Sequence, residues 1–297
     1  MEFADPQSQR TAAPDVKDQP SLTAWRVALS RAAHQILDRP PVLEDPVALA
    51  IVGERGVAEI CAAALRYQLP PARYLRAFLV ARSRLAEEAL AAAVRDGVRQ
   101  YVVLGAGLDT FAYRNPYPAS HLRVFEVDRP ASQAWKRSQL AAAGLALPEA
   151  LVFVPADFES ETLAARLASA GFRAGEPAFF SWLGVTMYLT RAAVIGTLGY
   201  LARLPQGSGV VFDYAVPPAT LPLVRRVALH AVMRRVAAAG EPWKTFFVPR
   251  ELALELGSLG FRQLEDLGPG EINARFFADR SDGLRVGGFG RVMHARS

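Results

Sequence analysis

The stretch Tyr101-Val-Val-Leu-Gly-Ala-Gly-Leu-Asp-Thr110, followed by Val124-Phe-Glu-Val-Asp128, decides the fold of this chain of 297 residues. An apolar segment leads into a Gly-x-Gly turn, and a second apolar segment ends on Asp128, 23 positions after Gly105. Glycines let a backbone turn approach a ligand closely, and an acid at the tip of the second strand accepts hydrogen bonds from ribose hydroxyls. The pattern therefore predicts an α/β fold whose strand ends bind a ligand that contains adenosine.

The number of glycines distinguishes two kinds of adenosine ligand. Gly105 and Gly107 match the first two positions of the dinucleotide fingerprint, but Thr110 stands where its third glycine would let a helix pack below a pyrophosphate. An NAD(P)-dependent oxidoreductase is therefore the disfavoured alternative. S-adenosylmethionine (SAM) contains adenosine and no phosphates, so it is the cofactor that this turn favours.

The rest of the chain alternates between strand and helix patterns. Apolar spacing predicts three helices before the first strand, at 22–38, 46–66 and 72–95. Strands are expected at 101–104, 121–128, 151–156, 178–183 and 209–214, with helices at 130–143, 160–170 and 191–204 between them. A helical insertion at 217–239, a helix at 249–259, a strand at 261–267, a loop and a strand at 285–295 follow. Alternating strands and helices predict a parallel sheet with helices on both faces.

Composition excludes several classes of protein. The net charge of +5 comes from 34 basic residues, but only three are lysines, no arginine run exceeds two, and no RNA-binding motif of basic and aromatic residues occurs, so nucleic acid is not an expected partner. No apolar run reaches 18 residues, so we expect no membrane span. Residues 1–20 are polar, lack the pattern of a signal peptide and are expected to form a flexible tail. Cys61 is the single cysteine; we expect a buried packing thiol and a cytoplasmic protein.

Four segments carry a resemblance to a known family: Leu104-Gly-Ala-Gly-Leu-Asp-Thr-Phe-Ala-Tyr-Arg114, Phe125-Glu-Val-Asp-Arg-Pro130, Ser21-Leu-Thr-Ala24 and Asp45-Pro46. The chain resembles the leucine carboxyl methyltransferase-like group of SAM-dependent methyltransferases, and within it the bacterial small-molecule O-methyltransferases, which are typical of secondary metabolism. The resemblance implies a Rossmann-like class I methyltransferase fold, with a mostly parallel seven-stranded sheet closed by an antiparallel hairpin. It also implies one domain over 21–297, with N-terminal helices at 21–98 and a lid insertion at 215–245.

Strand ends locate the predicted cofactor site, because ligands bind an open parallel sheet at its carboxyl edge. Gly105, Ala106 and Gly107 are expected to contact the amino-acid part of SAM, and Asp128 the ribose. Glu126 shares a face with Asp128 but lies deeper.

The third strand end and the helix before the first strand complete this site. The resemblance implies that Asp157 and Phe158 contact adenine, although Asp157 could instead cap the following helix. It also implies that Arg82 pairs with the SAM carboxylate, where a guanidinium suits two oxygens. Arg84 is the rival for this role, and Arg31 is a candidate for a further basic contact.

One position departs from the family pattern, and a few side chains are candidates for the acceptor site. Leu183 stands where many members carry a glutamate that faces the SAM amino group. Tyr188 and His230, the latter within the insertion, are the predicted substrate-binding residues, whereas Trp182 lines the pocket or packs in the core. The four histidines are widely separated, so no metal site is expected, and the absence of Gly-x-Ser-x-Gly argues against a serine hydrolase.

These residues predict SAM-dependent O-methylation of a small molecule, at a carboxylate or a hydroxyl. A carboxylate is already ionised near neutral pH, so positioning and exclusion of water would suffice. A hydroxyl would need a general base, for which His230 and Tyr188 are the first candidates. A non-enzymatic protein that retains the SAM-binding fold is the second alternative.

Overall fold

The computed structural model describes residues 21–159, 162–288 and 290–297, so the tail predicted at 1–20 lies outside the described residues. The strands are β1 Gln100–Leu104, β2 Arg123–Asp128, β3 Leu151–Pro155, β4 Phe179–Trp182, β5 Gly209–Ala215, β6 Gln263–Leu267 and β7 Gly290–Arg296. They form one seven-stranded sheet in the order β3-β2-β1-β4-β5-β7-β6. The pairs from β3 through β5 are parallel, and β7 runs antiparallel to both β5 and β6. The predicted mostly parallel sheet with a closing hairpin is confirmed.

Helices precede the sheet and connect its strands. Before β1 lie α1 Leu22–Leu37, α2 Pro46–Ala62, α3 Ala64–Tyr67 and α4 Pro70–Arg95. After it lie α5 Pro130–Ala142, α6 Leu163–Ser169, α7 Arg191–Ala202, α8 Leu223–Ala237, α9 Pro249–Leu259 and α10 Pro269–Phe276. Ser21 begins α1 as its N-cap, because its hydroxyl oxygen accepts a hydrogen bond from the Ala24 N–H at 3.0 Å. No helix within the described ranges is long and apolar enough to cross a bilayer.

The sheet is buried on both faces, which explains its almost continuously apolar strands. Side chains alternate between the faces of a strand. On β1, Val102 and Leu104 pack into the apolar cluster on one face, whereas Tyr101 and Val103 pack into the cluster on the other. All four are less than a tenth exposed, so β1 lies at the centre of the molecule.

The strand order reverses beside β1. The chain runs from β1 outward through β2 to β3, and then returns to β4 on the other side of β1. The crevice between the carboxyl ends of β1 and β4 is therefore the topological switch point at which α/β sheets bind ligands. The Gly105–Gly107 turn leaves β1 at this point.

The C-terminal region differs from its sequence-based prediction. A helix, α10, occupies part of the segment where a loop was expected. Its start is stabilised by Pro269 in the first turn and by Glu271, whose carboxylate accepts a hydrogen bond from the Gly268 N–H at 2.9 Å. The last strand begins only at Gly290, five residues later than predicted.

Two predictions about the N-terminal helices are also wrong in detail. The helix expected over 46–66 is interrupted at Gly53, where φ is +63°, and ends at Ala62 before the short α3 begins. Cys61 lies on the solvent side of α2 and is exposed, not a buried packing thiol. The residues that α2 buries are instead apolar side chains such as Ile51 and Ile60.

Candidate functional site

The turn after β1 brings glycine backbone to the carboxyl edge of the sheet. Gly105 and Gly107 adopt left-handed φ values of +68° and +47°, which favour glycine. The N–H groups of Gly105 and Ala106 donate to the Val127 carbonyl at 2.7 and 3.1 Å, so the turn is tied to β2. A Cβ on Gly105 would overlap the Val185 side chain. Conformation and space therefore both require glycine at position 105.

Asp128 ends β2 directly beside this turn. Its Oδ2 accepts a hydrogen bond from the Gly107 N–H at 2.6 Å, and its Oδ1 accepts one from the Arg129 N–H at 2.7 Å. Burial raises the pKa of Asp128, and the two backbone hydrogen bonds oppose the rise because they stabilise the charged form. The carboxylate orders the glycine turn and stands at the strand tip where the sequence predicts a ribose contact.

Glu126 lies two residues earlier on β2 and is held in a buried ion pair. The ammonium group of Lys136 on α5 donates to Glu126 Oε2 at 2.6 Å, and both side chains are 1% exposed. Burial raises the pKa of Glu126 to about 7, although the charge of Lys136 opposes the rise. Glu126 is thus beneath the site, as the alternation along β2 predicts.

The end of β3 carries the pair of residues expected at adenine. Asp157 Oδ1 accepts a hydrogen bond from the Glu159 N–H at 3.0 Å and closes a tight turn. Because α6 begins only at Leu163, the alternative role of Asp157 as its cap is wrong. The Phe158 ring packs against Trp182 with 6.0 Å between ring centroids, and Trp182 is a fully buried core residue.

Arg82 of α4 reaches the loop after β4 and forms an ion pair with an aspartate of β5. Arg82 Nη1 donates to Asp213 Oδ2 at 2.5 Å, and both side chains are buried. Asp213 Oδ1 also accepts a hydrogen bond from the Gly184 N–H at 2.5 Å. A Cβ on Gly184 would lie 2.8 Å from Arg82 Nη2, so this glycine lets the guanidinium approach the loop. Sequence reasoning missed Asp213, although an acid inside the apolar run of β5 is a detectable signal.

Two neighbouring positions bear on the predicted contacts of SAM. Leu183 packs into the apolar cluster that covers β1. It supplies no charge at the position that is often glutamate in the resembled family. Arg84, the rival of Arg82, is exposed and donates to Glu88 at 2.7 Å on the same helix. Of these two arginines, Arg82 is the one at the strand edge.

Thr110, which replaces the third glycine, belongs to a buried charged network. Its hydroxyl donates to Asp45 Oδ2 at 2.8 Å, and Arg31 of α1 donates to both Asp45 and Thr110. Burial raises the pKa of Asp45, but the charges of Arg31 and Arg114 together with the hydrogen bonds from Thr110 and Arg31 outweigh burial, so the pKa lies below its usual value. Arg31 therefore fastens α1 and the start of α2 to the glycine turn.

The segment after this threonine also differs from a dinucleotide site. Residues 105–122 are all described and contain a short 3-10 turn, Phe111–Tyr113, but no α-helix. A dinucleotide-binding turn opens a helix whose N-terminus faces the pyrophosphate. No such helix opens within residues 105–122, which agrees with the prediction from the glycine spacing that this turn is not a dinucleotide-binding turn.

The predicted substrate residue Tyr188 lies in the 3-10 turn after β4, beside two other elements. Burial raises the pKa of its hydroxyl, and the adjacent Trp243 indole N–H opposes the rise. The Glu241 carboxylate raises this pKa further, whereas the Thr23 hydroxyl lowers it. Tyr188 thus lies among residues of α1 and of the segment that follows α8.

His230 lies apart from this group. It is exposed on α8, whose buried residues are Leu229 and Val236. Within the described residues His230 is not among the side chains that shift the pKa of the Tyr188 hydroxyl. Among the described residues, no group of three or more histidine, cysteine, aspartate or glutamate side chains is arranged to hold a metal ion.

Comparison with known proteins gives a consistent result. The family model described as leucine carboxyl methyltransferase matches residues 24–202. The Bacillus subtilis (strain 168) protein YktD, named as a candidate SAM-dependent methyltransferase, is 35% identical over 291 residues, which span 90% of this chain and 95% of that protein. A similarly named protein of Mycolicibacterium paratuberculosis is 31% identical over 226 residues, spanning 73% of this chain and 70% of its own length.

Solved structures show the same fold. A candidate methyltransferase of Thermobifida fusca superposes with a TM-score of 0.57 at 19% identity, covering 97% of this chain and 99% of its own. A DUF574 family protein of Streptomyces avermitilis gives a TM-score of 0.54 at 20% identity, covering 90% and 96%. At such identities the likeness concerns the fold.

Proposed function

The chain belongs to the leucine carboxyl methyltransferase family of SAM-dependent methyltransferases, and from this premise we propose that it methylates an oxygen atom, of a carboxylate or a hydroxyl, on a small-molecule metabolite. The observation that carries the proposal is the glycine turn tied to Asp128 where the strand order reverses. This turn offers backbone and a carboxylate to a ligand that contains a ribose and no phosphate.

The residues at the strand ends fit SAM. The backbone at Gly105 has no room for a Cβ, and Arg82 Nε is buried without a hydrogen-bond partner in the described chain. A buried unpartnered donor is costly, so a site that leaves one open favours a ligand that accepts a hydrogen bond. The residues that we propose to hold SAM are Arg82, Gly105, Ala106, Gly107, Asp128, Asp157 and Phe158.

The chain's own groups act by holding, orienting and enclosing the reactants. SAM supplies a methyl group on a sulfonium, which is strongly electrophilic. Asp213 fixes the Arg82 guanidinium and the Gly184 loop together, and Asp128 fixes the glycine turn, so both sides of the crevice are ordered before a ligand enters. Such preorganised positioning contributes much of the rate in a transfer between two bound molecules.

Two observations support an oxygen acceptor on a small molecule. The family is named for methylation at a carboxyl group, whose reactive atom is oxygen. The side-chain atoms around Tyr188, including Thr23 Oγ1 and Trp243 Nε1, are buried, which suits a small molecule better than the surface of a folded protein. Tyr188 is the first residue that we propose to contact the acceptor, and His230, exposed on α8, is the second.

The domain organisation is also part of the proposal. We assign 21–297 to one domain, with N-terminal helices at 21–98 and a lid insertion at 215–245. The end of this insertion is fastened to the sheet, because the Phe247 N–H donates to the Ala215 carbonyl at 2.9 Å. The insertion therefore leaves β5 and returns to the same place, as expected of a lid.

The acceptor atom can be identified with SAM whose methyl carbon is isotopically labelled. The protein is incubated with a panel of carboxylic acids, phenols, alcohols, amines and thiols of matched size, and the chemical shift of the labelled methyl identifies the atom that received it. We expect O-methyl products and a strongly reduced yield with Asp128→Asn. Transfer to nitrogen or sulfur would contradict the oxygen assignment. SAM binding without transfer to any compound would favour the non-enzymatic alternative, and NADH binding without SAM binding would favour the oxidoreductase.

A further inference from the structure

Three side chains direct unpartnered polar atoms toward the surroundings of Tyr188. They are Thr23 Oγ1 in the first turn of α1, and Glu241 Oε2 and Trp243 Nε1 in the segment after α8. Each atom is buried and has no hydrogen-bond partner of normal geometry in the described chain. Backbone and side-chain hydrogen bonds of Lys244 and Thr245 to Met187 and Leu189 hold the segment after α8 against the turn that carries Tyr188. In agreement, Glu241 raises the pKa of the Tyr188 hydroxyl, whereas Trp243 and Thr23 lower it. We name these four residues the Tyr188 cluster.

The cluster is fixed at the carboxyl edge of the sheet. The Lys244 N–H donates to the Met187 carbonyl at 2.7 Å, and the Thr245 hydroxyl donates to the Leu189 carbonyl at 2.6 Å. The segment that follows Trp243 is thereby joined to the turn that carries Tyr188. On the other side, α1 lies over the cofactor turn, because a Cβ on Gly107 would be 3.3 Å from Ala24 Cβ. The cluster therefore borders the place proposed for SAM.

Leaving several polar atoms buried and unpaired is unfavourable unless a ligand satisfies them. Each such atom has given up its hydrogen bonds to water without gaining a partner in return. Trp243 Nε1 can only donate, a charged Glu241 carboxylate can only accept, and hydroxyls do both. A ligand hydroxyl group matches this arrangement. Its oxygen can accept hydrogen bonds from the indole and hydroxyl donors, while its O–H donates to the Glu241 carboxylate. A carboxylate ligand would instead place a second negative charge beside Glu241 in a poorly hydrated site.

Aromatic side chains border the same position. The rings of Trp243 and Phe246 lie 6.1 Å apart between centroids, and both residues are half-buried. Such a pair offers a surface for a planar ring. The Arg82 guanidinium, which could otherwise attract an acidic acceptor, is already paired with Asp213.

From this arrangement we propose that the acceptor is an aromatic hydroxyl compound and that Glu241 is its general base. The inference rests on the proposed function. As the acceptor oxygen forms its bond to the methyl carbon, its O–H bond breaks and the proton passes to the Glu241 carboxylate. The bond between sulfur and the methyl carbon breaks in the same step, and the sulfur keeps the electron pair as a neutral thioether. Glu241 then releases the proton to water, while Tyr188, Trp243 and Thr23 hold the acceptor oxygen.

A binding experiment tests the substrate class apart from the proposed function. Calorimetry first establishes that the protein binds SAM and the demethylated product, S-adenosylhomocysteine; failure here would contradict the proposed function itself. The protein loaded with S-adenosylhomocysteine is then titrated with 2-naphthol and with 2-naphthoate, which differ in the acceptor group. We expect 2-naphthol to bind at least about tenfold more tightly, because Glu241 accepts from a hydroxyl and repels a carboxylate. Equal or tighter binding of 2-naphthoate, or no binding of either compound, would overturn the inference.

A matched pair of variants tests the role of the glutamate. In Glu241→Gln the preference for 2-naphthol should fall severalfold, because the repulsion of 2-naphthoate is lost. The formation of 2-methoxynaphthalene should slow by about 10²- to 10⁴-fold, whereas SAM affinity should stay within about twofold. Glu251→Gln, an exposed residue of α9, is the control and should change none of these. An unchanged rate in Glu241→Gln, or a wild type that binds 2-naphthol without methylating it, would refute the assignment of the base.

Discussion

Replacing Asp128 with asparagine tests how the glycine turn and the ribose site depend on one carboxylate. Asp128 accepts two backbone hydrogen bonds, from the Gly107 N–H at 2.6 Å and from the Arg129 N–H at 2.7 Å. Asparagine keeps the shape but has one acceptor oxygen, so its NH2 group would face one of the two N–H donors. The variant therefore loses one hydrogen bond to a charged group, in addition to the negative charge.

The expected size of the effect follows from the proposed hydrogen bond between the Asp128 carboxylate and the ribose, because the two backbone hydrogen bonds are already present without a ligand. A hydrogen bond to a charged group contributes about 1.5–3 kcal/mol, and each 1.4 kcal/mol or so changes affinity tenfold. We expect the SAM dissociation constant of Asp128→Asn to rise roughly 10- to 100-fold, measured by calorimetric titration near neutral pH. Asp96→Asn, an exposed substitution at the end of α4, is the matched control and should bind SAM as the wild type does. Wild-type affinity in a folded Asp128→Asn variant would refute the reasoning.

Three further substitutions probe the same framework. Gly105→Ala should lower the free energy of unfolding by about 2–5 kcal/mol, because the cost of a left-handed φ and the cost of overpacking against Val185 are summed. In urea unfolding, adding Val185→Ala should recover part of this loss, and no recovery would contradict the predicted overlap. The pKa of Glu126 is raised from 4.5 to about 7, so the native state binds more protons between these values and stability falls as pH rises from 5 to 7. Over that range the wild type should lose about 2 kcal/mol more than Glu126→Gln/Lys136→Met, and parallel profiles would show that the pair does not titrate in this way. Asp45→Ala removes the nearest carboxylate from the buried Arg31 guanidinium and should cost about 3–5 kcal/mol in thermal or urea unfolding. A loss below about 1 kcal/mol would count against the network.

The glycine turn after β1 was predictable because its backbone conformation restricts which residues can occupy it. Gly105 and Gly107 have left-handed φ values that few other residues adopt, and Asp128 follows from the rule that strand tips meet at the switch point. The alternation of strands and helices likewise predicted a parallel sheet with helices on both faces, whereas the seven strands and the closing hairpin were implied by the family resemblance. The sequence was sufficient to predict residues whose type is determined by the local backbone conformation or by the fold topology.

Pairings between distant residues were not predictable in this way. The absence of the third glycine was recognised, but not that Thr110 binds Asp45 across 65 positions. The pairing of Arg82 with Asp213 spans 131 positions, so the sequence indicated the arginine without its partner. No local sequence pattern marks Glu241, whose Oε2 atom is buried without a partner among the described residues.

The α10 helix was missed for a different reason. Pro269-Gly270 is typical of a turn, which favoured a loop. In the structure the proline occupies the first helical turn, and Ile272 is buried against the sheet, so packing and the Glu271 contact outweigh the turn signal. Tertiary burial decided this element, and the sequence pattern alone does not contain it.

The crevice between β1 and β4 is the site that we propose to bind SAM for methyl transfer. The simplest test of this proposal is a calorimetric titration of the purified protein with SAM, beside a parallel titration with NADH. We expect saturable SAM binding in the micromolar range, competition by S-adenosylhomocysteine and no response to NADH. Binding of NADH at this crevice, or no binding of SAM by the folded protein, would contradict it.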